Sequence, residues 1–334
     1  MPPRRVGDQP LPPIYALALL VLAAVGSPAT LAAQPAGGTV PRVGYISGAS
    51  DSRREEAFRT GLRELGYVEG KNIVVEYRFA EGKYERLPGF VAEAVQRNVA
   101  IIVAATTPAI RAAQQATQSI PIVMTLGEAA EGTIANYAHP GGNITGLATI
   151  NTELMGKRLE LLKEALPKLS RVAVLYNPTN PISGGQVRSA REAAHTLGLQ
   201  LQLLEVRRLA DFDAAFETAA RQRAEALIAM PDQLVGDTRR NQLAERALKL
   251  RLAAMGWSAG QAQSGLLMAY GPDEPEMHRR AASYVDKILK GAKPGDLPIE
   301  QPAKFSLAIN LKTAKALRLT IPPPLLGRAD QLIQ

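Results

Sequence analysis

The stretch VAIIVAATTPAIRAAQQATQSIPIVMTLGE, residues 99–128, decides the fold. Ala100–Ala104 and Ile120–Met124 are short apolar runs of the kind buried on both faces, as parallel strands are. Each gives way to small polar residues: Thr106 and Thr107 after the first, with Pro108 placed to open a helix, and Gly127 and Glu128 after the second. In an open parallel sheet, ligands bind outside the carboxyl ends of the strands. Two neighbouring strand ends here offer hydroxyls and free helix N–H groups for an anion, beside an acid for a cation. Capping and turn chemistry alone would account for any one of these residues.

Upstream, Arg42–Ile46 reads as a strand, Arg53–Leu65 as an amphipathic helix, Asn72–Tyr77 as a strand and Tyr84–Gln96 as a helix. Up to Glu128 this is a βαβαβαβ series, the signature of a parallel sheet with helices on both faces. The series then recurs: strand Arg171–Tyr176, helix Gly185–Leu197, strand Gln200–Val206, helix Asp211–Gln222, strand Ala226–Met230, helix Asp237–Leu250 and strand Leu252–Trp257. The Leu65-Gly66 that ends the first helix returns as Leu197-Gly198. Order and spacing agree without residue identity, which predicts an α/β protein of two similar doubly wound parallel-sheet lobes with a ligand cleft between them. Beyond the repeat, strand Gly265–Tyr270, helix Glu274–Leu289, strand Ala303–Ile309 and a helix Leu311–Leu317 capped by Asn310 predict that the chain crosses between lobes more than once. Residues 34–147 plus 269–301 are expected to form one lobe, and 148–268 plus 302–334 the other.

The chain of 334 residues is long enough for two cores, and 46% apolar and 21% charged residues describe an ordinary globular protein. Residues 1–33 differ. Arg4 and Arg5 precede an apolar run of 12 residues, Ile14–Val25, and the small residues Ala29, Ala32 and Ala33 follow, the layout of a secretory signal peptide. A retained anchor is the alternative, but the run is short against a hydrocarbon core of about 30 Å. The absence of cysteine excludes disulfides, thiolate metal sites, a cysteine nucleophile and a lipidated cysteine at the cleavage point. The mature protein is therefore expected to be periplasmic and freely soluble. Losing Arg4, Arg5 and Asp8 takes the net charge from +8 to +7. The positive charges come as scattered pairs such as Arg53-Arg54 and Arg239-Arg240 without interleaved aromatics, which argues against nucleic acid.

One constellation points to an enzyme. Gly256-Trp257-Ser258-Ala259-Gly260 fits G-x-S-x-G, His139-Pro140-Gly141-Gly142 suggests an oxyanion loop, and Asp273 and His278 follow as acid and base. The context fails, because Gln261–Gly265 leads into a strand rather than a strong helix, and Asp273 and His278 share one turn and helix. No histidine pair has metal spacing and the glycines form no phosphate loop, so no cofactor or metal is expected. A binding protein asks less. Thr106, Thr107 and the helix start at Pro108, with Ser47 at the neighbouring strand end, suit a carboxylate; Glu128 or Asp232 suits an ammonium. Tyr176, Trp257 and Tyr270 fall at strand ends in a chain with 16 aromatic residues, which marks them as pocket candidates. Gly127, Asn177 and Asn180 complete the expected ligand-binding set.

From Arg42 onward the chain resembles the bacterial ABC-transporter substrate-binding proteins related to the tryptophan and tyrosine transport component. The resemblance rests on REEAFRTGLRELGYVEGKNIVVEYRFAEGKYERLP (54–88), HPGGNITG (139–146), GKRLELLKEALP (156–167), RVAVLYNPTNP (171–181), LLMAYGPD (266–273), YVDKILKGAKPGDLPIEQPAKF (284–305) and INLKTAKAL (309–317). It implies a type I periplasmic binding fold with three crossings. It also implies a monomeric receptor, not an enzyme, that closes over a small polar ligand such as an amino acid. Such a receptor delivers its ligand to an ABC permease driven by a cytoplasmic ATPase, touching the membrane only there. Service as a ligand-sensing component without transport is the alternative, and a serine hydrolase using Ser258 the remote one. Two departures fall in the expected cleft: Gly127-Glu128-Ala129-Ala130 where many members have Asp-Pro, and Gly256–Gly260 where many have an aromatic-rich stretch.

Overall fold

The computed structural model describes residues 39–128, 134 and 136–334; the signal-like stretch 1–33, Ala129 and Ala130 lie outside them. The first lobe is built in chain order from β1 (Arg42–Ser47), α1 (Ser52–Glu64), β2 (Val74–Phe79), α2 (Leu87–Gln96), β3 (Ile101–Ala104), α3 (Thr107–Ala116), β4 (Ile122–Met124) and β5 (Ile144–Leu147). The second follows with α4 (Leu154–Ala165), β6 (Arg171–Tyr176), α5 (Ser183–Leu197), β7 (Gln200–Glu205), α6 (Phe212–Arg221), β8 (Ala226–Ala229), α7 (Arg240–Lys249), β9 (Ala253–Gly256), α8 (Ala259–Gln263) and β10 (Met268–Pro272). The chain returns to the first lobe for α9 (Glu274–Leu289) and β11 (Ile299–Glu300). It ends in the second with β12 (Phe305–Asn310), α10 (Leu311–Leu317), α11 (Pro323–Gly327) and β13 (Gln331–Ile333).

The strand orders are β11-β5-β4-β3-β1-β2 and β13-β12-β10-β9-β8-β6-β7, parallel throughout except for the β10–β12 pair. Both sheets repeat one winding, second-first-third-fourth-fifth, so each reverses direction once, between β1 and β3 and between β6 and β8. The apolar run at 100–104 shows why this is a doubly covered sheet. Ile101 and Val103 pack with Val43, Tyr45 and Phe58, while Ile102 and Ala104 pack with Val91, Ile110 and Met124 on the other face. Burying one such side chain is worth about 1.5–3 kcal/mol.

Local signals set the element ends. Gly198 leaves α5 with φ of 64°, the left-handed cap conformation glycine adopts without strain. Asn310 caps α10 by accepting from the Thr313 N–H. Two expectations need correction. The strand expected at Gly265–Tyr270 is β10 at Met268–Pro272, and it pairs with β9 and β12, so it belongs to the second sheet. The chain therefore passes to the first lobe at Asp273, after rather than before 269–272. A helix also does follow Ser258, the five-residue α8, because Gln261 Oε1 accepts from the N–H groups of Trp257 and Ser258 at its start.

Three passages join the lobes: residues 148–153, Asp273 and residues 301–304. The first starts beside the strand that leads into the third, with Ala148 N–H donating to Glu300 O of β11 at 2.9 Å. Helices α1 and α9 lie close together on the first sheet, close enough that a Cβ at Gly61 would come 2.2 Å from the Arg279 carbonyl oxygen. Gly61→Ala should therefore cost roughly 1–2 kcal/mol, overpacking outweighing the helix propensity of alanine. Gly89→Ala in α2, where a Cβ meets nothing within 4 Å, should instead gain up to about 1 kcal/mol. Urea unfolding of the two variants checks both signs.

Candidate functional site

The two reversal points face each other. Gly48, just past β1, sits against Gln233, just past β8, with a Cβ at Gly48 calculated to lie 3.2 Å from the Gln233 Oε1. Between them lies a chamber of about 20 Å³, room for about one water. Thr107, Gly127, Thr149 and Asn151 line it from the first lobe and the first passage. Asn180, Ile182, Pro231, Gln233 and Trp257 line it from the second, and Glu274 from the start of α9, just past the second passage. A cavity of about 420 Å³ shares Thr149 and Ile182 with the chamber and reaches out past Glu128, Tyr137, Thr152 and Gln301.

On the first-lobe side, Thr106 is extended and Pro108 falls in the first turn of α3, so the N–H groups of that turn open toward the chamber. Thr107 Oγ1 accepts from the Glu128 N–H at 2.9 Å, which leaves its proton to give. Gly127 has φ of 155°, and a Cβ there would come 2.8 Å from the Thr107 nitrogen, so only glycine lets β4 pass the start of α3 so closely. Thr149 Oγ1 and Thr106 Oγ1 are buried with no partner among the described residues. Asn151 accepts through Oδ1 from Arg158 Nη2 at 2.7 Å, which leaves its NH2 as the free end of a side chain lining the chamber. Arg158 is wholly buried, donates also to the Tyr270 carbonyl at 2.8 Å, and is pushed down to about 9 by burial.

Across the chamber, Asp232 accepts from Asn180 Nδ2 at 2.8 Å, Tyr84 Oη at 2.8 Å, Asn177 Nδ2 at 3.4 Å and the Val235 N–H. Burial pushes its carboxyl above the usual range, these neutral donors offsetting only part of the cost. Trp257 is 2% exposed, with its ring against Gly236 and its Nε1 donating to Glu274 at 3.2 Å. Burial likewise raises Glu274, although Arg54 sits 2.7 Å away.

Of the residues expected from sequence, Thr107, Gly127, Asn180 and Trp257 line the chamber, and Asp232 and Asn177 stand behind Asn180. Ser47 spends its hydroxyl on the Ala49 carbonyl, and Glu128 accepts from Thr152 N–H and Oγ1 in the neighbouring cavity. The structure turns two expected residues away. Tyr176 and Tyr270 pack on the core beneath α4 and α5, Tyr176 donating to Glu205 at the sheet edge and Tyr270 lying against Phe305. Each shares strand parity with residues of that core, Val174 and Met268. Thr149, Asn151, Gln233, Glu274, Tyr84 and Arg158 were not foreseen. The first passage carries two of them and Glu274 directly follows the second, without any motif, and the only prior cue was that a passage beside a cleft must line it.

The profile described as "ABC transporter substrate binding protein" matches residues 42–333. The chain belongs to this family. The family is one of binding proteins rather than enzymes. The chain is similar to the "Tyrosine-binding protein" of Clostridioides difficile (strain R20291), with 25% identity over 267 residues, 79% of this chain and 76% of the relative. Among solved structures it resembles a "conserved domain protein" of Vibrio cholerae at TM-score 0.82, 26% identity, covering 88% of this chain and all of that one. It also resembles an ABC domain in complex with L-Trp from "Streptococcus pneumonia" at TM-score 0.81, 21% identity and the same coverage. The two-lobed fold expected from the duplicated series is borne out by these likenesses. Among the described residues, no helix of this substrate-binding protein is long and apolar enough to cross a membrane.

The hydrolase constellation comes apart in the same substrate-binding protein. His278 gives both ring nitrogens to other partners, Nδ1–H donating to the Glu274 carbonyl at 2.8 Å and Nε2 accepting from Thr125 at 3.0 Å. Asp273 caps α9 by accepting from the Glu276 N–H. Burial and the Arg54 charge hold His278 down at about 3. Because its folded value lies below the unfolded value near 6.5, stability from neutral His278 is fully present above pH 6.5. It is lost as pH falls from there toward 3, by up to about 1.4 kcal/mol per unit. The wild type should lose about 2 kcal/mol between pH 7 and pH 5 that His278→Gln does not lose, as read by urea titration at the two pH values.

Proposed function

We propose that this protein is the exported receptor of an ABC importer, that it closes over an amino acid or similar zwitterion, and that it hands the ligand to a membrane permease driven by a cytoplasmic ATPase. The observation that carries the reading is convergence. Polar groups from both sets of strand ends, the first passage and the start of α9 meet in one buried chamber that shares Thr149 and Ile182 with the adjoining cavity of about 420 Å³, so that chamber and cavity together give room for a small solute where few groups have reason to be polar unless something polar is held. A ligand carboxylate suits the Thr107 hydroxyl, the Thr149 hydroxyl and the Asn151 amide at the open first turn of α3. An ammonium suits Asp232 or Glu274, two buried acids that would each be relieved by a positive charge. Because Thr107, Thr149 and Asn151 belong to the first lobe and passage, and Asn180 and Gln233 to the second lobe with Asp232 behind them, a ligand touching both favours the closed state over the open one. The names of the relatives above, tyrosine-binding and L-Trp-bound, support an amino acid as the ligand class.

Calorimetry against the common amino acids tests the reading. Removing one hydrogen bond to a charged group costs about 1.5–3 kcal/mol, so Thr107→Val and Thr149→Val should each weaken binding about 10- to 150-fold. Asp232→Asn should do the same and should also lower the melting temperature. Asp232 is 1% exposed and holds Tyr84 and Asn180, so it is structural as well. Wild-type affinity in all three variants would move the site elsewhere. Export is checked separately: mass spectrometry of protein from the periplasm should find the N-terminus after cleavage between Ala29 and Ala33, not at Met1.

A further inference from the structure

We propose that the two lobes are drawn shut by their own charges, through a latch whose members exchange partners on opening, so that closure precedes ligand binding in part of the population. The proposal is independent of which solute is bound. A chain of alternating charge, Asp51–Arg240–Asp237–Arg54–Glu274, runs from the start of α1 to the start of α9. Two of its links join the lobes directly: Arg240 to Asp51 at 2.6 Å and Arg54 to Asp237 at 2.9 Å. The second is withdrawn from water, with Arg54 and Asp237 side chains 5% and 0% exposed, and the first is partly so, with Arg240 at 18% and Asp51 at 3%.

Breaking a buried ion pair is costly when it leaves a charge without a partner. Here it does not. Asp51 keeps Arg53 at 2.9 Å, Arg240 keeps Asp237 at 3.3 Å, and Arg54 keeps Glu274 at 2.7 Å. Glu274 stands in the first turn of α9, which packs on α1 and so travels with the first lobe. The halves are each neutral: Arg53 and Arg54 against Asp51 and Glu274 on one side, Arg240 against Asp237 on the other. Opening exchanges cross-lobe partners for partners within a lobe, which is what a two-state element needs if both states are to be accessible. Tyr84 donating to Asp232 and Arg53 donating to Gln263 at 3.1 Å add neutral contacts across the same seam.

The test uses the absence of native cysteine. Spin labels at Lys83→Cys and Glu217→Cys, one exposed site on each lobe, report the interlobe distance by pulsed electron resonance. The protein is dialysed exhaustively, and native mass spectrometry confirms that no small molecule is bound. The short-distance population should then be present in the wild type. Asp51→Asn, which retains an N-capping side chain, should raise the open-to-closed ratio about tenfold. Arg240→Gln breaks the same contact but also removes the second partner of Asp237, so it should open the protein less than Asp51→Asn does. A wild type showing only the long distance, or an Asp51→Asn distribution equal to wild type, overturns the latch. Equal opening by the two variants overturns the exchange of partners. Matching far-UV dichroism ties each result to the interlobe distance rather than to unfolding.

Discussion

The guanidinium of Arg54, held between Asp237 and Glu274, is the point at which α1 and α9 of the first lobe meet the second lobe. A cation this buried is tolerable only because two carboxylates compensate it, and their fields keep it charged despite the cost of desolvation. The same constraint explains much of its surroundings. Glu274 is drawn up by burial and shared with Trp257, Trp257 is pinned over Gly236, and His278 one turn further along α9 is kept neutral beside the positive charge. Substitutions in this cluster act on interlobe contact and on packing together.

Arg158 plays a different part with the same chemistry. It has no carboxylate within ion-pair distance among the described residues, and spends its donors on the Asn151 side chain and carbonyl and on the Tyr270 carbonyl. It thus ties the first passage to the strand that leads into the second, and it orients the Asn151 amide toward the chamber. A buried charge satisfied by backbone and amide oxygens is expensive, and what it secures here is the join between the first passage and the strand that leads into the second.

The parallel winding supplies the rest. Because the strands of each doubly wound half point the same way, their carboxyl ends gather on one side, and the reversal in strand order leaves a crevice there. Two such halves set face to face place Thr107 and Gly127 opposite Asn180 and Gln233 without any of these residues being near another in the chain.

The sequence by itself determined the order and kind of the elements in the duplicated series, the capping of α10 by Asn310 and the polar residues at 106–107 and 127–128, because periodicity, capping and turn chemistry are local; β5, α4, α8, β11, α11 and β13 emerged only from the structure. It also carried the family strings between residues 54 and 317, within the range 42–333 that the family model matches. Local signals do not say toward which of two cores a strand-end side chain turns, which is why Tyr176 and Tyr270 read as pocket residues and lie beneath α4 and α5 instead. Nor do they say that β10 pairs antiparallel with a strand more than thirty residues later and so stays in the second sheet. Only the tertiary structure decided that Thr149, Asn151 and Glu274 line the chamber, and that Arg54 meets an acid 183 residues away. Those pairings depend on where the three passages bring the two halves together, a long-range constraint that no window of sequence contains.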